Sequence, residues 1–264
     1  HTIFESVTSF ISAPTGTIIL FTVGFDLVLR EIDWKKTGNM VAMRLSIAAV
    51  MLGVLILLNR TVLNGMIFEG AAVMFPAGAI LLALGVITGL WGIILAAFQN
   101  DIKRLLAYSS MENIGIILIG IGAALIGKSN GNEMLALCGM SGALLHTMNH
   151  SFFKSMLFFG AGNIYASTHS TSCDTFGGLA KSMPVTAILF LLATVAICAL
   201  PPLNGFVSEF TIYLGLLDGI SSGGEVLSSS FGLIGLSLIG GLAVLTFSKL
   251  FGTVFLGAPR THEV

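Results

Sequence analysis

Three ionisable side chains interrupt one apolar stretch: His146, His150 and Lys154, in Leu145-His146-Thr147-Met148-Asn149-His150-Ser151-Phe152-Phe153-Lys154. Their i, i+4, i+8 spacing keeps them within about 80° of one face of a helix and stacks them into a ladder about 12 Å tall. Histidine titrates near neutral pH, a lysine in an apolar interior can exchange its proton, and a single water can bridge successive rungs. That is the chemistry of a proton relay. Two other readings stand beside it. A pair of histidines four apart is also a metal-ligand spacing, but no Glu lies between them and no third ligand is evident, so neither a metal nor a cofactor is expected. Histidines packed between helices would account for one of the two, but poorly for three aligned groups.

A second signal follows about 50 residues later. The run Ala199-Leu200-Pro201-Pro202-Leu203-Asn204-Gly205-Phe206 cuts through an apolar stretch. Paired prolines remove two backbone donors, so the helix should break or unwind there, and broken helices at membrane depth line cavities or ion paths. Beyond the prolines stands Glu209, an isolated carboxylate and a candidate terminal proton donor or acceptor. The alternative is a kinked packing helix whose Glu pairs with a lysine on a neighbour, which still leaves an intramembrane ion pair. Glu112 and Lys249 are two further candidates able to extend the polar line, each equally readable as a snorkelling or helix-pairing group. Asp101, Lys103 and Arg104 read as determinants of topology and of a helix start.

The elements that must hold these groups follow from composition. Of 264 residues, 55% are apolar and 9% charged, and glycine is abundant at 32 residues. An ordinary soluble domain carries about 25% charged residues, whereas glycine-rich, charge-poor chains suit close-packed membrane helices. A net charge of −1 offers no basic face for nucleic acid, and Cys138, Cys173 and Cys198 form no cluster. The first residue is His1 rather than Met, and nothing resembles a signal peptide, so the chain reads as a possible fragment.

A bilayer core of about 30 Å needs about 20 predominantly apolar residues per helix. Cutting the sequence at its charge clusters gives seven spans: Ser12–Leu29, Val41–Leu58, Ala71–Phe98, Ile102–Ile126, Met134–Ala166, Pro184–Leu217 and Ser230–Leu256. The expected fold is therefore all-α, a polytopic membrane helical bundle with one span broken at Pro201-Pro202. If the spans alternate, Arg30, Lys35, Lys36, Lys103, Arg104, Lys181 and Arg260 share one side, against Arg60 and Lys128 on the other. Positive charge accumulates on the cytoplasmic side, which puts the C-terminus there.

Longer motifs carry a resemblance. Phe98-Gln99-Asn100-Asp101-Ile102-Lys103-Arg104-Leu105-Leu106-Ala107-Tyr108-Ser109-Ser110-Met111-Glu112-Asn113-Ile114-Gly115 resembles the central motif of antiporter-like membrane subunits. That family includes the proton-pumping subunits of respiratory complex I (NADH-quinone oxidoreductase), multisubunit cation/proton antiporters, and membrane subunits of formate-hydrogenlyase and hydrogenase-4 type hydrogenases. The His146…His150…Lys154 ladder with Leu157-Phe158-Phe159-Gly160-Ala161-Gly162, and Ala199 to Phe210, resemble two later helices of the family. The ending Lys249-Leu250-Phe251-Gly252-Thr253-Val254-Phe255-Leu256-Gly257-Ala258-Pro259-Arg260, together with Glu112-Asn113, looks most like the hydrogenase branch. These motifs occur in order over residues 76–264.

The resemblance implies that His146, His150 and Lys154 belong to a lateral hydrophilic axis and that Glu209 is its exit-end group. It also implies partners, the other membrane and peripheral subunits of a redox-driven complex, in which the oxidoreductase chemistry resides. One departure stands out: a complete member carries an earlier half with a Glu–Lys pair that drives the pump, and residues 1–75 offer no counterpart. That segment, with Ser12-Ala13-Pro14-Thr15-Gly16, Asp26, Trp34-Lys35-Lys36-Thr37-Gly38, Arg44 and Asn59-Arg60, resembles the later helices of auxin-efflux-type permeases. It implies either a fusion near Pro76 or divergent helices of the same family. The function expected is proton translocation along a His/Lys/Glu axis. A sodium- or potassium/proton antiporter module and a non-pumping structural fragment or chimera are the alternatives.

Overall fold

The computed structural model describes residues 71–258 and Arg260, with side chains from Met74 onward. The chain divides into two units, His1–Glu69 and Gly70–Val264, and the second is the one described. The expected spans Ser12–Leu29 and Val41–Leu58, and the permease-like segment up to Gly70, lie outside the described residues.

Every regular element described is helical: α1 Ala71–Ala97, α2 Ile102–Asn130, α3 Glu133–Thr168, α4 Leu179–Ser182, α5 Pro184–Ile197, α6 Asn204–Ser221 and α7 Val226–Phe255, with a 3₁₀ turn at Cys173–Thr175. Sequence chemistry sets the boundaries. Asp101 caps α2 by accepting from the Arg104 amide at 2.9 Å, and Gly131, at φ 75°, ends it in the left-handed conformation that glycine adopts without a Cβ clash. Asn132 then caps α3 by accepting from the Leu135 amide at 2.9 Å. Pro184 opens α5, where its missing N–H leaves no helical acceptor wanting.

Helices α1, α2 and α7 are long and apolar enough to cross a membrane. Helix α3, at 36 residues, is longer than any of these, but its ladder and neighbouring Asn, Ser and Thr side chains dilute its apolar character. The expected sixth span is two helices rather than one bent one. Helix α5 stops at Ile197, ahead of the prolines, and α6 starts only at Asn204. At about 1.5 Å per residue the two measure roughly 21 and 27 Å, so the connection between them falls inside the apolar layer. Gly205 lets the start of α6 meet the end of α5, because a Cβ there would collide with the Ala196 carbonyl oxygen.

The helices pack closely where side chains are absent. A Cβ on Gly85 would lie 2.7 Å from the Gly115 carbonyl oxygen, and one on Gly122 would lie 2.7 Å from that of Gly78. The α1–α2 seam is therefore a backbone-to-backbone contact of the kind membrane helices use in place of hydrophobic driving force. Two buried apolar clusters result. One gathers Leu106, Phe153, Leu157, Phe190, Phe247 and Phe255; the other gathers Leu82, Ile116, Ile119, Leu135, Ile212 and Leu236.

Connections at one end of the bundle are stitched together. The Ile102 amide donates to Thr171 O at 3.0 Å, the Cys173 amide to Asn100 O at 2.7 Å, and the Gly178 amide to Leu256 O at 2.9 Å. Thr171 Oγ1 donates to Asp101 Oδ2, and Asn100 Nδ2 to Asp174 Oδ2 at 3.2 Å. The α1–α2 link, the loop after α3 and the end of α7 thus lie on one side, together with Lys103, Arg104, Lys181 and Arg260. At the other end, Asn132 Nδ2 donates to Ser222 Oγ at 3.3 Å and joins the remaining two connections. Described helices thus alternate as the charge distribution requires. The three cysteines are free, and burial pushes the Cys173 thiol in the first of these ends up to about 11, away from thiolate chemistry.

Candidate functional site

Between the two apolar clusters, α2, α3 and α6 turn polar side chains toward one another. Helix α2 contributes Ser109, Glu112 and Asn113; α3 contributes His146, Asn149, His150 and Lys154; α6 contributes Asn204, Ser208 and Glu209. Glu112 and His146 are each 1% exposed, Glu209 4% and Lys154 6%. Helical periodicity explains the grouping on each element. Ser109 and Asn113 are one turn apart, His146, His150 and Lys154 span two turns, and Ser208 adjoins Glu209.

Lys154 Nζ donates to Leu106 O at 2.6 Å and to Ser109 Oγ at 2.5 Å, so the ammonium is held by α2 rather than left in an apolar pocket. Asn113 Nδ2 donates to Ser109 O at 2.8 Å, and Asn113 Oδ1 lies 3.0 Å from His146 Nε2. On the opposite side of the ring, His146 Nδ1 lies 3.0 Å from Ser208 Oγ. Asn149 Nδ2 donates to Asn204 O at 2.8 Å and to Ser208 Oγ at 3.2 Å, and Asn204 Nδ2 returns a bond to Asn149 Oδ1 at 3.2 Å. The line of bonds therefore runs from Lys154 across α2 to His146 and on to the first turn of α6.

Counting protons gives this line a switch. With Asn113 Nδ2 committed to Ser109 O, Asn113 Oδ1 is an acceptor and His146 Nε2 carries a proton. Ser208 has one hydroxyl proton and three acceptors within reach, His146 Nδ1 at 3.0 Å, the Gly205 carbonyl oxygen at 2.9 Å and the Asn204 carbonyl oxygen at 3.4 Å. In the first arrangement His146 is neutral. When the hydroxyl turns to a carbonyl of its own helix, Ser208 Oγ is free to accept instead, so the contact accommodates Nδ1 with or without a proton.

Other atoms in the layer are bare. Among the described residues, the buried side-chain atoms with no hydrogen-bond partner are Glu112 Oε2, His150 Nε2 and Thr194 Oγ1. Glu112 lies within electrostatic reach of both Lys154 and Glu209, and His150 within reach of Lys154 and His146. Glu209 Oε2 sits 3.9 Å from where a Cβ would stand on Gly240 of α7. Among the described residues, no group of three or more His, Cys, Asp or Glu gathers in a metal-binding arrangement.

The structure thus brings together five of the six residues that sequence spacing selected. Lys249 is not among them: it is exposed at the stitched end of the bundle, where its Nζ donates to Ala97 O at 3.0 Å. Glu112, by contrast, sits amid the others. Sequence reasoning missed Ser109, Asn113, Asn149, Asn204 and Ser208, the neutral groups that join the ionisable ones. Their signal was adjacency, since each lies within a turn of a selected residue or of the Pro201-Pro202 break.

Residues 38–239 match the family described as "NADH:quinone oxidoreductase/Mrp antiporter, TM". Hydrogenase-4 component B of Escherichia coli (strain K12) is 43% identical over 188 residues, 70% of this chain and 28% of that protein. Formate hydrogenlyase subunit 3 of the same strain is 43% identical over 189 residues, 70% of this chain and 31% of that protein. A chain of the membrane-bound sulfane sulfur reductase, an archaeal respiratory membrane complex, superposes with a TM-score of 0.56 at 31% identity, over 69% of this chain and 27% of that one. A chain of the Mrp complex from Dietzia sp. DQ12-45-1b shares the fold at a TM-score of 0.54 and 22% identity, over 67% of this chain and 30% of that one. The chain spans about a third or less of the length of each of these proteins.

Proposed function

Since the chain belongs to the NADH:quinone oxidoreductase/Mrp antiporter membrane family, we propose that it translocates protons as part of an antiporter-like subunit in a hydrogenase-4-like or complex I-related assembly. Protons move along Lys154, Glu112, His150, His146 and Glu209. Redox chemistry belongs to partner subunits, and the stitched end that carries Lys103, Arg104, Lys181 and Arg260 faces the cytoplasm of a bacterial or archaeal cell. Residues 76–264 carry the antiporter-like motifs, and the family match already begins at residue 38.

One observation carries the reading: five ionisable side chains are gathered between three helices in an apolar interior, and neutral hydrogen-bonding groups run between two of them, Lys154 and His146. Placing charge at membrane depth costs at least about 2.5–3.5 kcal/mol per group, so such a concentration marks an ion path rather than packing. Buried atoms with no partner at Glu112 and His150 fit a path on which protons and waters come and go.

The test is proton pumping in inverted membrane vesicles that hold the assembled complex, with turnover of the redox partners measured in parallel. Lys154→Ala and Glu209→Gln are each expected to abolish pumping while the complex still assembles. Undiminished pumping in both would overturn the assignment. A strict requirement for sodium or potassium, with that ion moving in step with turnover, would replace protons alone by cation/proton exchange.

A further inference from the structure

The hydrogen bonds that run from Lys154 to His146 are continuous in space but not in chemistry. A group relays a proton when it can take one and give up another, as hydroxyls, carboxyls, imidazoles and water do. Lys154 Nζ donates to Ser109 Oγ at 2.5 Å, but the Ser109 hydroxyl itself donates to Leu106 O, a main-chain carbonyl of its own helix, at 3.1 Å. Asn113 bonds the same serine at a different atom, with Nδ2 donating to Ser109 O at 2.8 Å rather than to the hydroxyl. Beyond it, Asn113 Oδ1 lies 3.0 Å from His146 Nε2 and accepts its proton in a hydrogen bond.

Asn113 closes this line most firmly. To carry a proton away from His146, its carboxamide would have to gain one at Oδ1 and lose one at Nδ2, and a side-chain amide does neither near neutral pH. Turning the carboxamide over would set its oxygen against the Ser109 carbonyl oxygen, acceptor against acceptor, and both residues are 0% exposed, with no room for solvent to separate them. The neighbouring positions differ in kind. Glu112, which precedes Asn113, and His150, one turn from His146, each present a buried atom with no hydrogen-bond partner among the described residues, and each belongs to a group that gives and takes protons. His146 keeps Nδ1 for exchange, since its partner there, Ser208, is a hydroxyl.

We propose that Asn113 is a proton block: a positioning residue that holds His146 in its Nε2–H form and closes the direct passage between Lys154 and His146 along α2, so that protons cross this part of the layer by Glu112 and His150. The assignment rests on the proton-translocating reading above. Coupled pumping requires that adjoining carriers not be permanently wired together, because a standing wire conducts in both directions whether or not the redox partners turn over.

The experiment uses the assembled complex in sealed inverted vesicles, with the amount of assembled complex as control, and reads proton flux down an imposed pH gradient without redox turnover. Asn113→Asp keeps the shape of the side chain and replaces the amide by a carboxyl, which exchanges protons. Its passive flux is expected to exceed wild type by about tenfold or more, whereas Asn113→Leu, which has nothing to exchange, should change it by less than about twofold. Added to Glu112→Gln, Asn113→Asp should again raise the flux by about tenfold over Glu112→Gln alone, as a bypass does. A second measurement needs no variant at position 113. Nitrogen NMR of histidine-labelled complex, with His146→Asn used for assignment, should show neutral His146 protonated at Nε2.

Vesicles with Asn113→Asp as tight as wild type would overturn the block, and so would equal leaks in Asn113→Asp and Asn113→Leu, which would mark loosened packing. Neutral His146 protonated at Nδ1 would overturn it as well. In each of these cases the functional reading stands as long as Lys154→Ala and Glu209→Gln abolish pumping, and undiminished pumping in both would remove the two proposals together.

Discussion

The surroundings of His146 and those of Glu112 and His150 lie within the same polar layer yet differ in how their hydrogen bonds close. Both ring nitrogens of His146 are engaged, by Asn113 and Ser208, and the bonds continue through Asn149 to Asn204. Glu112 Oε2 and His150 Nε2 are enclosed and bare. A buried polar atom without a partner costs about 1–3 kcal/mol, whereas a completed network is rigid and specific. The contrast separates a closed hydrogen-bond network from two buried atoms that no described group satisfies. His146 is the point of contact between them, because Ser208 can complete its bonds in either of two protonation states.

Substitutions can break or sharpen that contrast. Glu112→Gln keeps shape and burial but removes the exchangeable charge, so pumping in the assembled complex should fall by about 100-fold or more. A small effect would mean that the bare carboxylate is not on the path. Asn113→Leu should act on the scaffold, leaving His146 Nε2 unpaired and costing about 1–3 kcal/mol, read as a lowered unfolding midpoint in detergent. Unchanged stability would show that this end is no more fixed than the other.

Gly115→Ala tests packing behind the layer. Its Cβ would meet the Gly89 backbone at 2.5 Å, so the α1–α2 seam must open at about 1–3 kcal/mol, with pumping lost only as assembly is lost. Thr194→Val replaces a bare hydroxyl by a methyl of the same shape and should leave thermal stability unchanged or slightly raised. A marked loss there would reveal a partner for that hydroxyl. The smallest effect belongs to Lys249→Met: at the exposed end of the bundle it should change stability by less than about 0.5 kcal/mol and leave pumping intact.

Much of the ladder was legible in the sequence because helical spacing is a local property. The positions i, i+4 and i+8 share a face whatever surrounds them, and α3 puts His146 and Lys154 inside as that geometry requires. The Pro201-Pro202 run marked a break, although α5 ends ahead of it, since the chain must already have left helical geometry to bring Gly205 against Ala196. Lys249 and Glu112 looked alike on paper, each a lone charge in an apolar run. Depth separated them: Glu112 sits midway between two apolar clusters, while Lys249 reaches the carbonyl of Ala97 at the end of α1.

The sequence by itself determined that the chain is helical and membrane-embedded, how the described helices alternate, and which helix carries the ladder, since hydropathy, charge asymmetry and helical period are all written along one dimension. Only the tertiary structure decided that Asn113 and Ser208 complete His146, that Ser109 holds Lys154, and that Glu209 sits beside Gly240. Those pairings depend on the register between helices, which is fixed by glycine seams and interhelical contacts and leaves no periodic trace in any single helix.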